Sequence, residues 1–330
     1  MAIAVPVRNE VACLSRLLDA LATQRDAPDF ALCLFFDNCT DRSSDLVASL
    51  ASRVPYRVVT GRCDAGGAPN AGRARGHAMA LAAAEASDGI VLTTDADGEP
   101  TEDWVATNID ALAGADLVAG RVLRGLGPSS PAQDRVEAYY DRLHAVRRTI
   151  DPVAWEGVPT HHWTSGASLA LRTTTYQALG GFTPIASGED AALCDAAMRA
   201  GYRVRRDARV VVRTSARRDG RAVHGLAATL AAFDRADHLP VTSHPDDEAW
   251  RYRMQADARL LHGSGAYDVL SNRLGLSRAE VERVAGECRN GEAFAARIVG
   301  APPGGMRMIS LAHAELLLSA LEGMQLEGAA

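Results

Sequence analysis

The chain has 330 residues, 47% of them hydrophobic, with a formal charge of −6. That length suits one large domain or two unequal ones with a substantial core, and the mildly acidic balance argues against nucleic acid as a partner. No residue is lysine, so all 35 basic side chains are arginine; this excludes a Schiff-base lysine, pyridoxal-phosphate attachment and a phosphate-loop lysine.

In chain order, Ile3–Val7 reads as a buried strand, and Val11–Ala22 follows with apolar residues at helical spacing. Leu32–Phe36 is a second strand, Asp41–Leu50 a helix and Tyr56–Val59 a third strand. Ala71–Ala86 is a long alanine-rich helix, Ile90–Thr94 a fourth strand and Leu117–Ala119 a fifth. This alternation predicts an α/β fold with a mostly parallel sheet covered by helices on both faces. Gly125–Ser130 is a turn-rich break, followed by a helix over Pro131–Ile150. His161–Arg172 carries small residues and an apolar stretch, Asp190–Ala200 is a helix stopped by Gly201, and Val210–Thr214 is another strand. From about Gly225 onward the chain reads as helical, including Glu248–His262, Ser277–Cys288 and Ser310–Gln325. Ser277 with Glu280 has the spacing of a capping box.

In such sheets ligands sit beyond the carboxyl ends of the strands. The residues there are Arg8-Asn9-Glu10, Asp37-Asn38 and Asp95-Ala96-Asp97, all polar and rich in acids. Two carboxylates one residue apart can converge on a hard divalent cation, which keeps positions open for phosphate. The same Asp-Ala-Asp-Gly run also suits a plain turn. Pro6 fixes the exit of the first strand, and Asn9 also suits a helix cap. Asp37 could accept a hydrogen bond from a nucleobase imide, while Asp41 fits a cap better.

These three segments together resemble glycosyltransferase family 2, on the GT-A fold. The resemblance continues, in order, through Asn70-Ala71-Gly72-Arg73-Ala74-Arg75-Gly76, Trp163-Thr164-Ser165-Gly166-Ala167, Gly180-Gly181-Phe182 and Gly188-Glu189-Asp190, and it covers residues 1–215. It implies a glycosyltransferase, in the first instance a hexosyltransferase, using a nucleoside-diphosphate sugar, with UDP favoured, and Mn²⁺ or Mg²⁺. Pro6, Arg8 and Glu10 would line the nucleoside pocket, and Asp37 would bind the base. Arg73 or Arg75 would reach base, ribose or phosphate. Asp97 would be the direct metal ligand, with Asp95 nearer the ribose or a metal-bound water, and His224 would complete the metal shell. Glu189 and Asp190 match the family's ED pair, with Asp190 as general base in an inverting transfer. A carboxylate in that role takes the proton of an acceptor hydroxyl as it attacks the anomeric carbon. Its distance along the chain from the metal ligands suits a base opposite the leaving diphosphate. The acids also suit a helix N-terminus.

His162, Trp163 and Gly166 fall on the acceptor side. Trp163 either stacks on a sugar ring or packs in the core; His161 is a second candidate for that pocket. Residues 203–221 hold eight Arg and two Asp. This run reads either as a solvated surface or as a phosphate-facing cluster, with Arg217, Arg218 and Arg221 over the donor. The expected organisation is a catalytic domain over 1–222 and a helical region over 223–330 that shapes the acceptor pocket or a homodimer contact. A nucleotidyltransferase is one competing reading, but Pro6-Val7-Arg8-Asn9-Glu10 stands where it would carry a Gly-rich loop with Arg and Lys; a degenerate, non-catalytic binding domain is the other, and the retained Asp95, Asp97 and Asp190 weigh against it.

The six cysteines show no CxxC spacing, as expected of reduced, buried thiols. The chain opens on Ala2-Ile3-Ala4-Val5 with no basic lead into an apolar signal segment, and no apolar run approaches the ~20 residues of a membrane span. A cytoplasmic enzyme of bacterial type, working on a soluble or glycan acceptor, is the expectation.

Overall fold

The structure, a computed structural model, describes residues 1–125, 128–220, 225–235 and 240–327. It divides into two compact units. One comprises Met1–Ser129, Trp155–Cys194 and Val204–Ala231; the other comprises Ser130–Ala154, Asp195–Arg203 and Ala232–Ala330.

The first unit alternates strand and helix as expected. Its elements begin with β1 (Ala2–Val7), α1 (Leu14–Ala22), β2 (Ala31–Asp37), α2 (Ser43–Leu50), β3 (Arg57–Cys63) and α3 (Ala71–Glu85). They continue with β4 (Ile90–Thr93), β5 (Glu99–Pro100), α4 (Trp104–Leu112) and β6 (Leu117–Arg124). After α5 (Pro131–Ile150), which belongs to the other unit, come β7 (Leu169–Arg172), α6 (Thr173–Ala178), α7 (Glu189–Arg199, shared with the other unit) and β8 (Val204–Thr214). The eight strands form one sheet in the order β3-β2-β1-β4-β7-β6-β8-β5. The β1–β2, β2–β3, β1–β4 and β6–β8 pairs are parallel. β7 runs antiparallel between β4 and β6, and β5 runs antiparallel to β8.

Burial explains the strands. Ile3, Val5 and Val7 of β1 are fully buried, as are Leu32 and Leu34 of β2; such side chains contribute about 1.5–3 kcal/mol each when removed from water. α1 covers them with Leu14, Leu17, Leu18 and Leu21, spaced along one helical face. Trp104 of α4 is buried too, and its indole N–H donates to Ser168 Oγ at 3.0 Å.

α3 is anchored at its start. Asn70 Oδ1 accepts from the Arg73 amide at 2.7 Å, and Asn70 Nδ2 donates to the Pro184 carbonyl at 2.9 Å. The Gly72 amide donates to the Ile185 carbonyl at 3.0 Å, and a Cβ there would lie 2.0 Å from the Thr183 carbonyl oxygen. Only glycine permits that approach.

β8 begins six residues earlier than the strand expected over Val210–Thr214. Its charged first half is an interior feature. Asp207 is fully buried, and Arg205 Nη2 and Arg209 Nη2 each donate to its Oδ2 at 2.8 Å. The outer side of this half is covered by the segment 156–160. There the Gly157 amide donates to the Arg206 carbonyl at 3.1 Å, the Arg206 amide to Glu156 Oε1 at 2.6 Å, and the Ala208 amide to the Pro159 carbonyl at 3.0 Å.

The second unit contains α5 and, in chain order, α8 (Leu226–Phe233, shared with the first unit), β9 (Val241–Ser243), α9 (Pro245–Leu261) and α10 (Asp268–Leu274). α11 (Arg278–Glu287), α12 (Gly291–Ile298), β10 (Met308–Ser310) and α13 (Leu311–Glu327) complete it. Its core gathers Met254, Tyr267, Leu270, Val281, Phe294 and Ile298. α11 starts in the capping box expected of Ser277 and Glu280. β9 and β10, three residues each, pair antiparallel. All six cysteines are free thiols. No helix among the described residues is long and apolar enough to cross a membrane.

Candidate functional site

A cleft of about 220 Å³ opens in the first unit, beyond the carboxyl ends of β1, β2 and β4. Pro6, Arg8, Glu10, Asp37, Arg75, Asp95 and Asp97 line it, together with Asn70 and residues that follow β8, among them Ser215 and Arg217.

The base side is built from two tight turns. Asn9 and Asn38 both adopt left-handed backbone, with φ of 54° and 50°, a conformation asparagine tolerates better than most residues. Asn9 Oδ1 accepts from the Thr40 amide at 2.7 Å and from the Asp41 amide at 3.2 Å, binding the two turns together. Asn38 Oδ1 accepts from the Gly66 amide at 2.7 Å. Between the turns Asp37 is 2% exposed; Arg8 Nη1 donates to its Oδ2 at 3.0 Å and Asn38 Nδ2 to its Oδ1 at 2.8 Å. The carboxylate is fixed in place and still reaches the cleft wall.

Arg75 is the hub of the opposite side. Its guanidinium is buried and has four partners: Nε donates to Glu189 Oε1 at 3.0 Å, Nη1 to Thr93 Oγ1 at 3.0 Å and to the Gly166 carbonyl at 2.8 Å, and Nη2 to Asp95 Oδ1 at 2.8 Å. Burial opposes the charge, but Asp95 and Glu189 hold the Arg75 pKa above its ordinary value. The Gly166 amide donates to Asp190 Oδ2 at 2.8 Å. A Cβ on Gly166 would sit 2.4 Å from the Arg75 guanidinium carbon, so this packing requires glycine. One arginine thus ties Asp95 of the cleft to the helix start that carries Asp190.

Asp97 sits among charges. Burial, with Asp95 and Glu10 adding to it and Arg217 opposing, pushes its pKa up to about 6. Arg217 binds both oxygens of Glu10, at 2.7 and 2.6 Å, and its Nη2 lies 3.3 Å from Asp97 Oδ2.

The remaining expected residues lie elsewhere. Arg73 is not among the cleft-lining residues; its Nη2 donates to the Ala68 carbonyl at 3.3 Å. His162 meets Trp163 edge-on, with ring centroids 5.3 Å apart, and neither lines the cleft. His224 and Arg221 lie outside the described residues. Arg217 was legible only as one of three arginines past a strand. The rule that selected Asp37 and Asp97, polar residues just beyond a strand end, selects it as well.

His161 does not face a pocket. It is 1% exposed, with Nε2 3.1 Å from the Ala119 carbonyl, so Nε2 carries the proton. Burial, then the charge of Arg206, hold its pKa down to about 4. A folded value below the unfolded one gives stability that is present above about pH 6.5 and lost as pH falls toward 4. Denaturant unfolding at pH 7.5 and 4.5 is expected to show His161→Gln losing about 3 kcal/mol less than the parent. Equal losses would remove His161 as the source.

Strands alternating with helices, with acids gathered at one end of the sheet, make up a fold of GT-A type. Residues 2–153 match the model of Glycosyl transferase family 2, and this stretch of the chain belongs to that family. A mannosyltransferase from Pyrobaculum calidifontis, solved with GDP-Man and Mn²⁺, is similar over 88% of this chain and 76% of its own, at 19% identity and a TM-score of 0.50. S. aureus TarS 1-349 with UDP-GlcNAc is similar over 90% and 89%, at 14% identity and 0.49. Glucosyl-3-phosphoglycerate synthase from Mycobacterium tuberculosis, with Mg²⁺ and UDP, is similar over 74% and 84%, at 19% identity and 0.43. A sequence search of curated proteins found no match.

Proposed function

We propose that this chain moves a sugar from a nucleoside-diphosphate sugar, with UDP favoured, to an acceptor hydroxyl with inversion at the anomeric carbon. The observation that carries this reading is the gathering of Asp37, Asp95 and Asp97 in one cleft at the strand ends. Asp37, held by Arg8 and Asn38, presents a fixed acceptor to a base imide.

The cleft suits a divalent cation. Glu10, Asp95 and Asp97 line it together, Asp95 paired with Arg75 and Asp97 approached by Arg217. No group of three or more His, Cys, Asp or Glu is arranged to hold a metal among the described residues, so Asp97 and Asp95 would share the ion with diphosphate oxygens. Mn²⁺ or Mg²⁺ there would offset the charge of the diphosphate leaving group. His224 stays a proposed third ligand.

Asp190 is the proposed base. Its Oδ2 accepts from the Gly166 amide and its Oδ1 from the Ala191 amide at 2.7 Å, so the carboxylate is oriented by backbone. The acceptor oxygen bonds to the anomeric carbon, the bond from that carbon to the diphosphate oxygen breaks, and the hydroxyl proton passes to Asp190. Glu189 acts from behind, through Arg75. The 1–222 region carries this chemistry. His162, Trp163 and Gly166 are proposed for the acceptor side; the helical 223–330 region is proposed for acceptor binding or for a homodimer contact.

Asp190→Asn is expected to lower turnover by about 10³-fold while UDP binding with Mn²⁺ stays unchanged. A screen of nucleotide sugars with mass detection of product finds the donor; calorimetry checks the binding. Full turnover in the variant would remove Asp190 as base. Absence of UDP binding by the parent protein would overturn the donor assignment.

A further inference from the structure

Arg217 stands three residues beyond β8 and divides its guanidinium unequally. Its grip on Glu10 is two-pronged and short, at 2.7 and 2.6 Å. Its approach to Asp97 is single and longer, at 3.3 Å. Glu10 is itself fixed: it is 5% exposed, and its amide donates to Ser43 Oγ at 2.9 Å. Arg217 is therefore anchored on Glu10 and only leans on Asp97. The Nη2 group stands against the same Asp97 oxygen face that a divalent cation would use, and two cations that close repel each other. Arg75, a second guanidinium of the cleft, is locked by four partners and cannot yield in this way. The side chain of Arg217 is 27% exposed and lines the cleft, so it has room to turn.

We infer that Arg217 is a resident counter-cation of Asp97, which a divalent cation displaces and which the donor diphosphate then receives. This rests on the donor assignment above. The cation takes Asp97; the arginine keeps Glu10 and directs its released N–H toward a phosphate oxygen, an anion that guanidinium pairs with well. The consequence is coupling. A cation arriving alone has to displace a guanidinium with nothing to replace its lost partner. A cation arriving with a diphosphate gives Arg217 a new anion, so each ligand strengthens the binding of the other. The protein then fills with metal and nucleotide together and resists loading by metal alone.

The test is calorimetric titration of Mn²⁺ into the full chain, as the parent, Arg217→Gln and Arg217→Lys, without nucleotide and with saturating UDP. Melting curves establish that each variant is folded. Without nucleotide, Arg217→Gln is expected to bind Mn²⁺ about tenfold more tightly than the parent. UDP is expected to tighten Mn²⁺ binding about tenfold in the parent and less than about threefold in Arg217→Gln. Should Arg217→Gln not fold, Arg217→Lys decides: a single ammonium cannot grip Glu10 with two prongs and reach Asp97, so its nucleotide-free Mn²⁺ affinity should rise by about threefold. Equal or weaker Mn²⁺ affinity in the folded variant overturns the inference while leaving the donor assignment standing. Failure of the parent to take up Mn²⁺ even with UDP present overturns both.

Discussion

Asp97→Asn is expected to stabilise the metal-free protein at neutral pH and to weaken Mn²⁺-supported UDP binding by about a hundredfold, or about 2.7 kcal/mol. Both effects come from one carboxylate. The Asp97 side chain is 12% exposed and stands beside Asp95 and Glu10, and its pKa is pushed up from 3.8 to about 6, chiefly by burial. The folded state thus holds the Asp97 proton more tightly than the unfolded state does. The resulting instability is absent below about pH 4, grows between 4 and 6, and is complete above 6. Asparagine removes the charge and with it the penalty, of up to about 3 kcal/mol, less whatever the lost contact with Arg217 contributes. Scanning calorimetry in chelator at pH 4 and pH 8 should show the advantage of the variant only at the higher pH. A variant no more stable than the parent at pH 8 would show that Asp97 is not strained by its surroundings. The site is thus one where function opposes stability.

The second large effect is expected at Arg75. Arg75→Met should cost about 3–5 kcal/mol, because it leaves Glu189 and Asp95 without their shared buried counter-charge. The Glu189 side chain is 5% exposed and has no solvent to fall back on. Turnover should fall further than this loss implies, since the Gly166 carbonyl and Asp95 lose their common anchor while Asp190 is held by the same glycine's amide. Arg75→Lys is the informative companion. It restores one charge but cannot reach Glu189, Asp95, Thr93 and Gly166 at once. Stability should recover in part, with turnover still low. Urea unfolding and single-turnover assays measure the two. An Arg75→Met variant as stable as the parent would contradict the hub.

Much of the donor side was legible because sheet topology turns a local pattern into a location. Asp37, Asp95 and Asp97 each follow a run of buried strand residues, and parallel strands bring such ends to one edge. What could not be read was which way a charged group faces. Arg75 looked like a residue that reaches the donor, yet four of its five N–H groups are used inside the protein. The first half of β8 was hidden by its charges: Arg205, Asp207 and Arg209 read as solvated surface because pairing around a buried aspartate leaves no periodic trace. β7 was missed as a strand because its place, antiparallel between β4 and β6, is decided by long-range pairing. β9 and β10 are too short to carry an alternation at all.

The covering of β8 bears on how copies of this chain can meet. An open strand edge presents amides and carbonyls that another molecule can continue, and sheets that leave one exposed invite fibrous growth. Here the margin of the sheet is closed from both ends of β8. Near its end it carries β5, only two residues long and containing Pro100, which has no amide to offer. Along its start, Glu156, Gly157 and Pro159 occupy the hydrogen-bonding groups of Arg206 and Ala208 without forming a strand that could itself be extended. This margin is finished, so copies of the chain should not join along it.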